Sequence, residues 1–117
     1  MTQTTIKYPE PVPVDSYGPG FFRVADQMIS GAALVLPTHT TAWGGYTDTA
    51  QILAAAPDID VLFVGTGVEI AYLPDTFKST LEEARIGFEP MASATACRLY
   101  NILVSEGRRI GCALLPV

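Results

Sequence analysis

The stretch Val61-Leu62-Phe63-Val64-Gly65-Thr66-Gly67 decides the fold of this chain. A run of four apolar residues is typical of a short strand that is buried on both faces of a parallel sheet. The glycines that follow predict a tight turn, because glycine readily adopts positive φ. Helical and strand-like segments alternate from there onward, with further strands expected around Phe88 and Ile110, so we expect a βαβαβ unit with parallel strands.

Three helices are predicted to accompany these strands. The clearest signal is an apolar stripe at helical spacing, as in the series Phe77, Leu81 and Ala84. The helices are expected to run from Thr47 or Asp48 to about Ala56, from Pro74 to the stop residue Gly87, and from the cap Ser93 to about Glu106. Helices that connect parallel strands pack on the faces of the sheet, so we expect a three-layer α/β fold with a mixed central sheet.

The first half of the chain predicts a hairpin in front of the βαβαβ unit. Phe21–Val24 and Met28–Leu36 are apolar strand candidates separated by a short turn. Thr38–Gly45, which holds the only histidine and the only tryptophan, is expected to be a loop. Residues 1–20 hold four of the nine prolines and are expected to form an extended, largely unpacked arm. We therefore divide the chain into this arm and a single α/β domain over residues 21–117.

Composition argues against several classes of function. With 12 acidic and 7 basic residues the net charge is −5, which disfavours binding to nucleic acid. No apolar run approaches the ~20 residues of a transmembrane helix, and the N-terminus lacks the pattern of a signal or transit peptide, so we expect a cytoplasmic protein. Cys97 and Cys112 form neither a disulfide framework nor a zinc ligand set, and Cys112 is expected to be buried. No pattern calls for a metal or a cofactor.

Two neighbouring features are candidates for a binding site. Gly65-Thr66-Gly67 follows a buried strand, at the end where open α/β sheets bind ligands. A dinucleotide fingerprint would need glycine at Ile70, so an ordinary tight turn is the alternative interpretation. The start of the third helix offers free N–H groups at residues 93–95, and Arg98 lies three residues after Thr95, which predicts an anion site. The alternative is an ordinary helix start with a surface arginine.

Three further side chains have two interpretations each. Cys97 lies in the first turn of the third helix, where the helix dipole lowers the pKa of a thiol, and His39 is the only histidine that can act as its base. Asn101, one turn later, is either part of a binding site or an amide that bonds to backbone groups. Trp43 is either an anchor that pins its loop onto the domain or an exposed contact for a partner.

Three segments of the chain, taken together, carry a family resemblance. They are Ser30-Gly31-Ala32-Ala33-Leu34-Val35-Leu36-Pro37, then Val61–Gly67 with Leu73-Pro74, then Thr95–Leu103 with Glu106–Arg109. In this order they resemble the family of small domains of unknown function that includes mitochondrial complex I assembly factor 3 and a human adipogenesis-associated relative. The resemblance covers about Phe21 to Val117. It implies a bacterial member with a compact α/β fold, a mixed central sheet and no established enzyme activity.

Three hypotheses of function follow. The resemblance implies a non-enzymatic accessory protein that assists respiratory complex I assembly by contact with complex I subunits or another assembly factor. The residues themselves support the alternative of a small-ligand or anion-binding α/β domain, or a cryptic enzyme, that uses the glycine-rich loop and the helix start at Arg98. A protein with a reactive thiol at Cys97 is the third. The candidate binding residues are Gly65, Thr66, Gly67, Thr95, Cys97, Arg98, Asn101 and Trp43.

Overall fold

A computed structural model describes residues 5–117 of the chain. This part of the chain holds nine strands in two sheets, three α-helices and one short 3₁₀ helix. The strands are β1 (Thr5–Lys7), β2 (Val14–Gly18), β3 (Phe21–Val24), β4 (Gln27–Ser30), β5 (Ala33–Val35), β6 (His39–Ala42), β7 (Val61–Gly65), β8 (Gly87–Met91) and β9 (Ile110–Leu114). The α-helices are α1 (Ala50–Ala54), α2 (Asp75–Glu83) and α3 (Ser93–Ser105), and the 3₁₀ helix Ala56–Asp58 follows α1.

The larger sheet is mixed, with the strand order β1-β6-β5-β9-β7-β8. β7 lies between β9 and β8 and is parallel to both, with Val61 opposite Ile110 on one side and Gly87 on the other. β5 is antiparallel to both β9 and β6. The predicted βαβαβ unit and the mixed central sheet are confirmed, and β8 forms one edge of the sheet.

Two hydrophobic cores lie on the two faces of the larger sheet. Leu62 and Val64 of β7 belong to the core covered by α1 and α2, whereas Phe63 belongs to the core covered by α3 and the smaller sheet. Successive side chains of a strand point to opposite faces, so one apolar run supplies both cores and the three predicted layers are confirmed. The partners include Phe77 and Leu81 of α2 in the first core, and Tyr100, Cys112 and Phe22 in the second.

The segment from Met28 to Leu36, predicted as one strand, forms two strands in different sheets. β4 pairs with β3 in the small sheet β2-β3-β4, as the expected hairpin. Gly31 then adopts a φ of +79°, in the left-handed region that glycine tolerates, and the chain passes into the large sheet as β5. The prediction of a single strand is wrong because an apolar run does not reveal where the backbone changes direction.

The segment Thr38–Gly45, predicted as a loop, contains strand β6. Thr40 and Thr41 within it are buried, and the Thr40 hydroxyl lies 2.8 Å from the hydroxyl of Tyr8. Threonine is β-branched and fits a pleated sheet, and here a neighbouring hydroxyl satisfies its polar atom. The polar composition of the segment concealed the strand.

Residues 5–20 of the segment predicted as a largely unpacked arm are extended, but they pack, and residues 1–4 lie outside the described residues. Ile6 and Val14 are buried in the core on the α3 side. β1 pairs with β6 in the large sheet, and β2 pairs with β3 in the small one. The β2–β3 hairpin therefore crosses residue 20, where the boundary between arm and domain is expected. Proline opposes helix but tolerates extended backbone, which is why a proline-rich segment still contributes strands.

The helices keep their predicted positions, with shifted ends. α1 spans five residues and starts after Thr49. α2 ends before Arg85, whose φ of +59° stops the helix two residues ahead of the predicted stop at Gly87. Within residues 5–117 no helix has the length and the apolar character needed to span a bilayer.

Candidate functional site

The loop Gly65-Thr66-Gly67 leaves the end of β7 and is closed by Thr66. The Thr66 hydroxyl donates to the Glu69 carbonyl oxygen at 2.7 Å and accepts from the Ala71 N–H at 3.0 Å. The Thr66 backbone N–H donates to the Met91 carbonyl oxygen at 2.8 Å. The polar groups of Thr66 are thus bonded within the chain, and they hold the loop in one shape.

Ser93 joins this loop to the start of α3. Its buried hydroxyl accepts from the Gly67 N–H at 3.0 Å and donates to the Leu115 carbonyl oxygen at 2.6 Å. Its backbone N–H donates to the Gly67 carbonyl oxygen at 2.8 Å. The prediction that Ser93 caps α3 is wrong: Ala92 occupies the cap position, with no side-chain cap bond. The hydroxyl serves the neighbouring loop instead.

The two glycines of the loop are required for different reasons. Gly67 adopts a φ of +106°, as the tight-turn interpretation predicts, whereas Gly65 is the last residue of β7 and its φ is not positive. At Gly65, a Cβ atom would lie 2.7 Å from the Ser93 hydroxyl oxygen and 2.9 Å from the Ser93 Cα, so only glycine lets α3 approach this closely. The Leu115 N–H donates to the Gly65 carbonyl oxygen at 2.9 Å. We call Gly65, Gly67, Ser93 and Leu115 the clasp.

The predicted anion-binding residues lie next to the clasp on α3. Thr95 is half-buried and Arg98 is exposed. The structure brings the glycine-rich loop and the start of α3 together, and the hydrogen bonds that join them run through Ser93. Because the N–H groups of Gly67 and Ser93 already donate to oxygen atoms of the chain, fewer donors are left for an anion than the sequence indicates. An anion site at Thr95 and Arg98 stays a prediction.

Asn101 fastens the N-terminal segment to α3. Its side-chain oxygen accepts from the Val14 N–H at 2.8 Å, and its side-chain nitrogen donates to the Val14 carbonyl oxygen at 2.9 Å. The Tyr100 hydroxyl adds a bond to the Val12 carbonyl oxygen at 3.1 Å. The interpretation of Asn101 as an amide that bonds to backbone groups is confirmed.

The environment of Cys97 disfavours a reactive thiol. Cys97 is buried, and burial raises the pKa of its thiol to about 11, opposite to the lowering expected from the helix dipole. The Nε2 atom of His39 lies 2.8 Å from Oε1 of Gln51 in α1, on the other face of the large sheet. The sheet therefore separates the only histidine from Cys97. Cys112 is also buried, as predicted.

Trp43 lies inside the core and pins its loop. Its indole N–H donates to the Asp48 carbonyl oxygen at 2.9 Å. Its ring packs edge-on against Tyr46, with 5.7 Å between centroids, and lies 6.1 Å from the ring of Phe77 in α2. Only 5% of the residue is exposed, so the anchor interpretation is supported over that of an exposed partner contact.

The second half of the loop after β7 presents a surface that the sequence analysis missed. Val68 and Ile70 are 74% and 66% exposed, and Tyr72 is fully exposed. We call these three residues the apolar loop. Leu73, directly after it, is buried and anchors the loop to the core. Clustered exposed apolar side chains mark interaction surfaces on proteins, and the signal in the sequence was alternating large apolar residues between two turns.

An open groove of about 420 Å³ lies between this loop and the edge strand β8. We call it the apolar groove; it is lined by Ile70, Ala71, Tyr72 and Leu73 from the loop, Phe88 and Pro90 from β8, and Lys78 from α2. Lys78 is the only charged residue of this lining. Its ammonium lies 3.9 Å from the carboxylate of a fully exposed Asp75, which makes a weak ion pair. The groove has the chemistry to bind apolar side chains together with a negative group.

The fold and this surface define a small three-layer α/β domain with an exposed apolar surface beyond the carboxyl end of strand β7. The chain belongs to the family described as "Protein of unknown function (DUF498/DUF598)", which matches residues 14–115. The family resemblance inferred from the sequence and the α/β fold it implied are therefore confirmed.

Three relatives show what the chain is similar to. It is 44% identical to an uncharacterised protein of Rhodobacter capsulatus, over 91% of this chain and 86% of that protein. It is 27% identical to a mouse protein named NADH dehydrogenase (ubiquinone) 1 alpha subcomplex assembly factor 3, over 94% of this chain but only 63% of the relative. The crystal structure of a Bartonella henselae protein, described as an outer membrane protein, superposes with a TM-score of 0.84 and 33% identity, covering 94% of this chain and 98% of that one.

Proposed function

We propose that this chain is a non-enzymatic accessory protein that assists the assembly of respiratory complex I by direct contact with other proteins. Its partners are complex I subunits or a second assembly factor, and it acts from the cytoplasmic side of the membrane. Support for the process comes from the mouse relative, whose name states an assembly role and which aligns with 94% of this chain. This chain spans less than two thirds of that relative, so the role of the whole protein enters here as part of the proposal.

The observation that carries the proposal is the exposed apolar loop. A flexible loop would lose entropy on binding, but this one is braced on both sides. Thr66 closes its beginning through the bond from the Ala71 N–H, and buried Leu73 holds its end. Because the backbone of the loop is held at these two points, less chain entropy is lost when its apolar side chains bind a partner. Contact with protein therefore explains the surface better than ligand chemistry at the clasp, whose donors are already bonded.

The test is a deletion of the gene in its own host. Membranes from the mutant and the parent are compared for NADH:quinone oxidoreductase activity, with succinate oxidation as the internal control. We expect a selective loss of the NADH-dependent activity, restored by expression of the wild-type chain. Equal NADH-dependent activity in the two strains would overturn the proposal.

A further inference from the structure

We propose that the apolar groove binds a short extended segment of a partner protein, in which two large apolar side chains lie next to a carboxylate. The inference rests on the proposed function for the process it serves. The binding itself is argued from the groove alone, from its size, its backbone edge and its charge.

The size of the surface selects a segment rather than a whole protein face. The groove holds about 420 Å³, near the lower end of the range of about 300–1,000 Å³ for sites that enclose small ligands. An exposed tyrosine offers roughly 150–250 Å², so Tyr72 with Val68 and Ile70 falls short of the about 800 Å² that each partner buries in a stable interface. A second copy of this chain therefore finds too little surface here, whereas one or two inserted side chains fit.

The edge strand beside the groove favours an extended backbone. The Met91 carbonyl accepts from the Thr66 N–H, so the backbone of Met91 faces into the sheet. Backbone groups alternate in direction along a strand, which places those of Phe88 and Pro90 on the outer edge of β8. Proline has no N–H, and this outward position is where a sheet tolerates it. Phe88 then offers one N–H and one carbonyl to an added strand, enough for a short segment but not a long one.

The charge of the groove indicates which polar group accompanies the apolar side chains of the bound segment. The chain as a whole carries a net charge of −5, yet the single charged residue of the groove is a cation, Lys78. Its only ion-pair partner among the described residues is the exposed Asp75, at 3.9 Å. A carboxylate on the bound segment would face Lys78 beside apolar walls, where a charge pair is stronger than in open water. An anionic membrane is the weaker candidate, because its recognition takes clusters of basic residues.

The first experiment selects ligands for the purified chain from a displayed library of random peptides of about 12 residues. We expect enriched peptides to carry two large apolar residues within a few positions of Asp or Glu. Fluorescence anisotropy with the enriched peptides then compares variants. Tyr72→Ser is expected to weaken binding at least ~10-fold, the size of a typical hot-spot loss. Met28→Ser is the matched control, since Met28 is 52% exposed but lies on the small sheet.

A charge exchange tests whether a carboxylate on the bound segment pairs with Lys78. Lys78→Glu is expected to weaken binding of the acidic peptide about 10-fold. The same variant is expected to bind again when the Asp or Glu of the peptide is replaced by Lys. Lys7→Glu, on the opposite edge strand β1, is the matched control and is expected to bind like wild type. No enrichment, or enriched peptides that bind Tyr72→Ser and Lys78→Glu as well as wild type, would overturn the proposal.

Two further measurements distinguish a bound protein segment from a membrane, and binding at the groove from the assembly role. Flotation with phosphatidylcholine–phosphatidylglycerol vesicles tests a membrane in place of a protein; binding that depends on Tyr72 would overturn the segment proposal. Complementation of the deletion strain with the double variant Tyr72→Ser/Lys78→Glu separates the groove from the process. Full rescue of a lost NADH-dependent activity would overturn the groove proposal and leave the assembly role standing. Normal activity in the deletion strain, together with charge-dependent peptide binding, would overturn the assembly role alone.

Discussion

The two halves of the loop after β7 are neighbours in the chain and opposites in their chemistry. In the first half, four hydrogen bonds of 2.6 to 3.0 Å, one of them from the Ser93 backbone N–H, link Gly65 and Gly67 to Ser93 and Leu115. In the second half, Val68, Ile70 and Tyr72 lie in solvent. Position at the carboxyl end of a strand therefore does not by itself make a binding site. The groups available to bind are the polar groups left unpaired and the apolar side chains left uncovered after folding.

The largest effect is expected from closing the space inside the clasp. In Gly65→Ala the new Cβ meets the Ser93 hydroxyl oxygen at 2.7 Å and a Leu114 methyl group at 2.8 Å. We expect the free energy of unfolding to fall by about 3 kcal/mol, because overpacking of a close contact forces the backbone apart. Urea denaturation measures this. Gly87→Ala in β8 is the control, since its nearest neighbour is at 3.5 Å; equal losses in both variants would contradict the clasp.

The core next to the clasp is expected to shield Cys97. Burial raises the pKa of its thiol to about 11 from the usual 9.0. Below that pKa the thiol stays protonated, so at pH 8 the folded chain holds roughly 100-fold less thiolate than an exposed cysteine. We expect iodoacetamide to label Cys97 at least that much more slowly in the folded chain than in urea, with the rate rising as the pH increases towards 11. Rapid labelling at neutral pH would revive the reactive-thiol hypothesis.

A smaller loss of stability is expected when the hydroxyl of Ser93 is removed from the clasp. Ser93→Ala leaves the buried Gly67 N–H and the Leu115 carbonyl without a partner, which costs about 2 kcal/mol of unfolding free energy. Ser105→Ala removes a hydroxyl bond of the same length, 2.6 Å, at the exposed end of α3, and a change within about 0.5 kcal/mol is expected. Thermal and urea unfolding of the two variants measure the two losses of stability. A Ser93 variant as stable as wild type would show that water replaces the hydroxyl.

The smallest effect on stability is expected in the exposed half of the loop. Tyr72→Ser removes a side chain that is fully exposed, so the free energy of unfolding should change by less than about 0.5 kcal/mol. The same variant is expected to lose peptide binding, which gives the opposite pattern to Ser93→Ala. If Tyr72→Ser unfolded the chain as readily as Gly65→Ala, the distinction between a structural half and a binding half would fail.

The sequence predicted most of the second half of the fold and part of the site. The apolar run Val61–Val64 and the stripe through Phe77 and Leu81 had one consistent interpretation, and the structure follows it. The first half was harder, because Gly31 divides one apolar run between two sheets and buried threonines form β6. At the site, the sequence located the glycine-rich loop and the start of α3, but it predicted that Ser93 caps the helix, whereas the Ser93 hydroxyl bonds to Gly67 and Leu115.

The sequence by itself determined the class of the fold, since a strand buried on both faces and amphipathic helices can satisfy their apolar surfaces only in a layered α/β arrangement. Only the tertiary structure decided which polar groups were left to bind. Whether Gly67 and Ser93 offer their N–H groups depends on oxygen atoms brought from distant parts of the chain. Whether Tyr72 is core or surface depends on what packs over it. The availability of these N–H groups and the exposure of Tyr72 both depend on contacts between residues far apart in the chain. Neither composition nor residue spacing reveals such contacts.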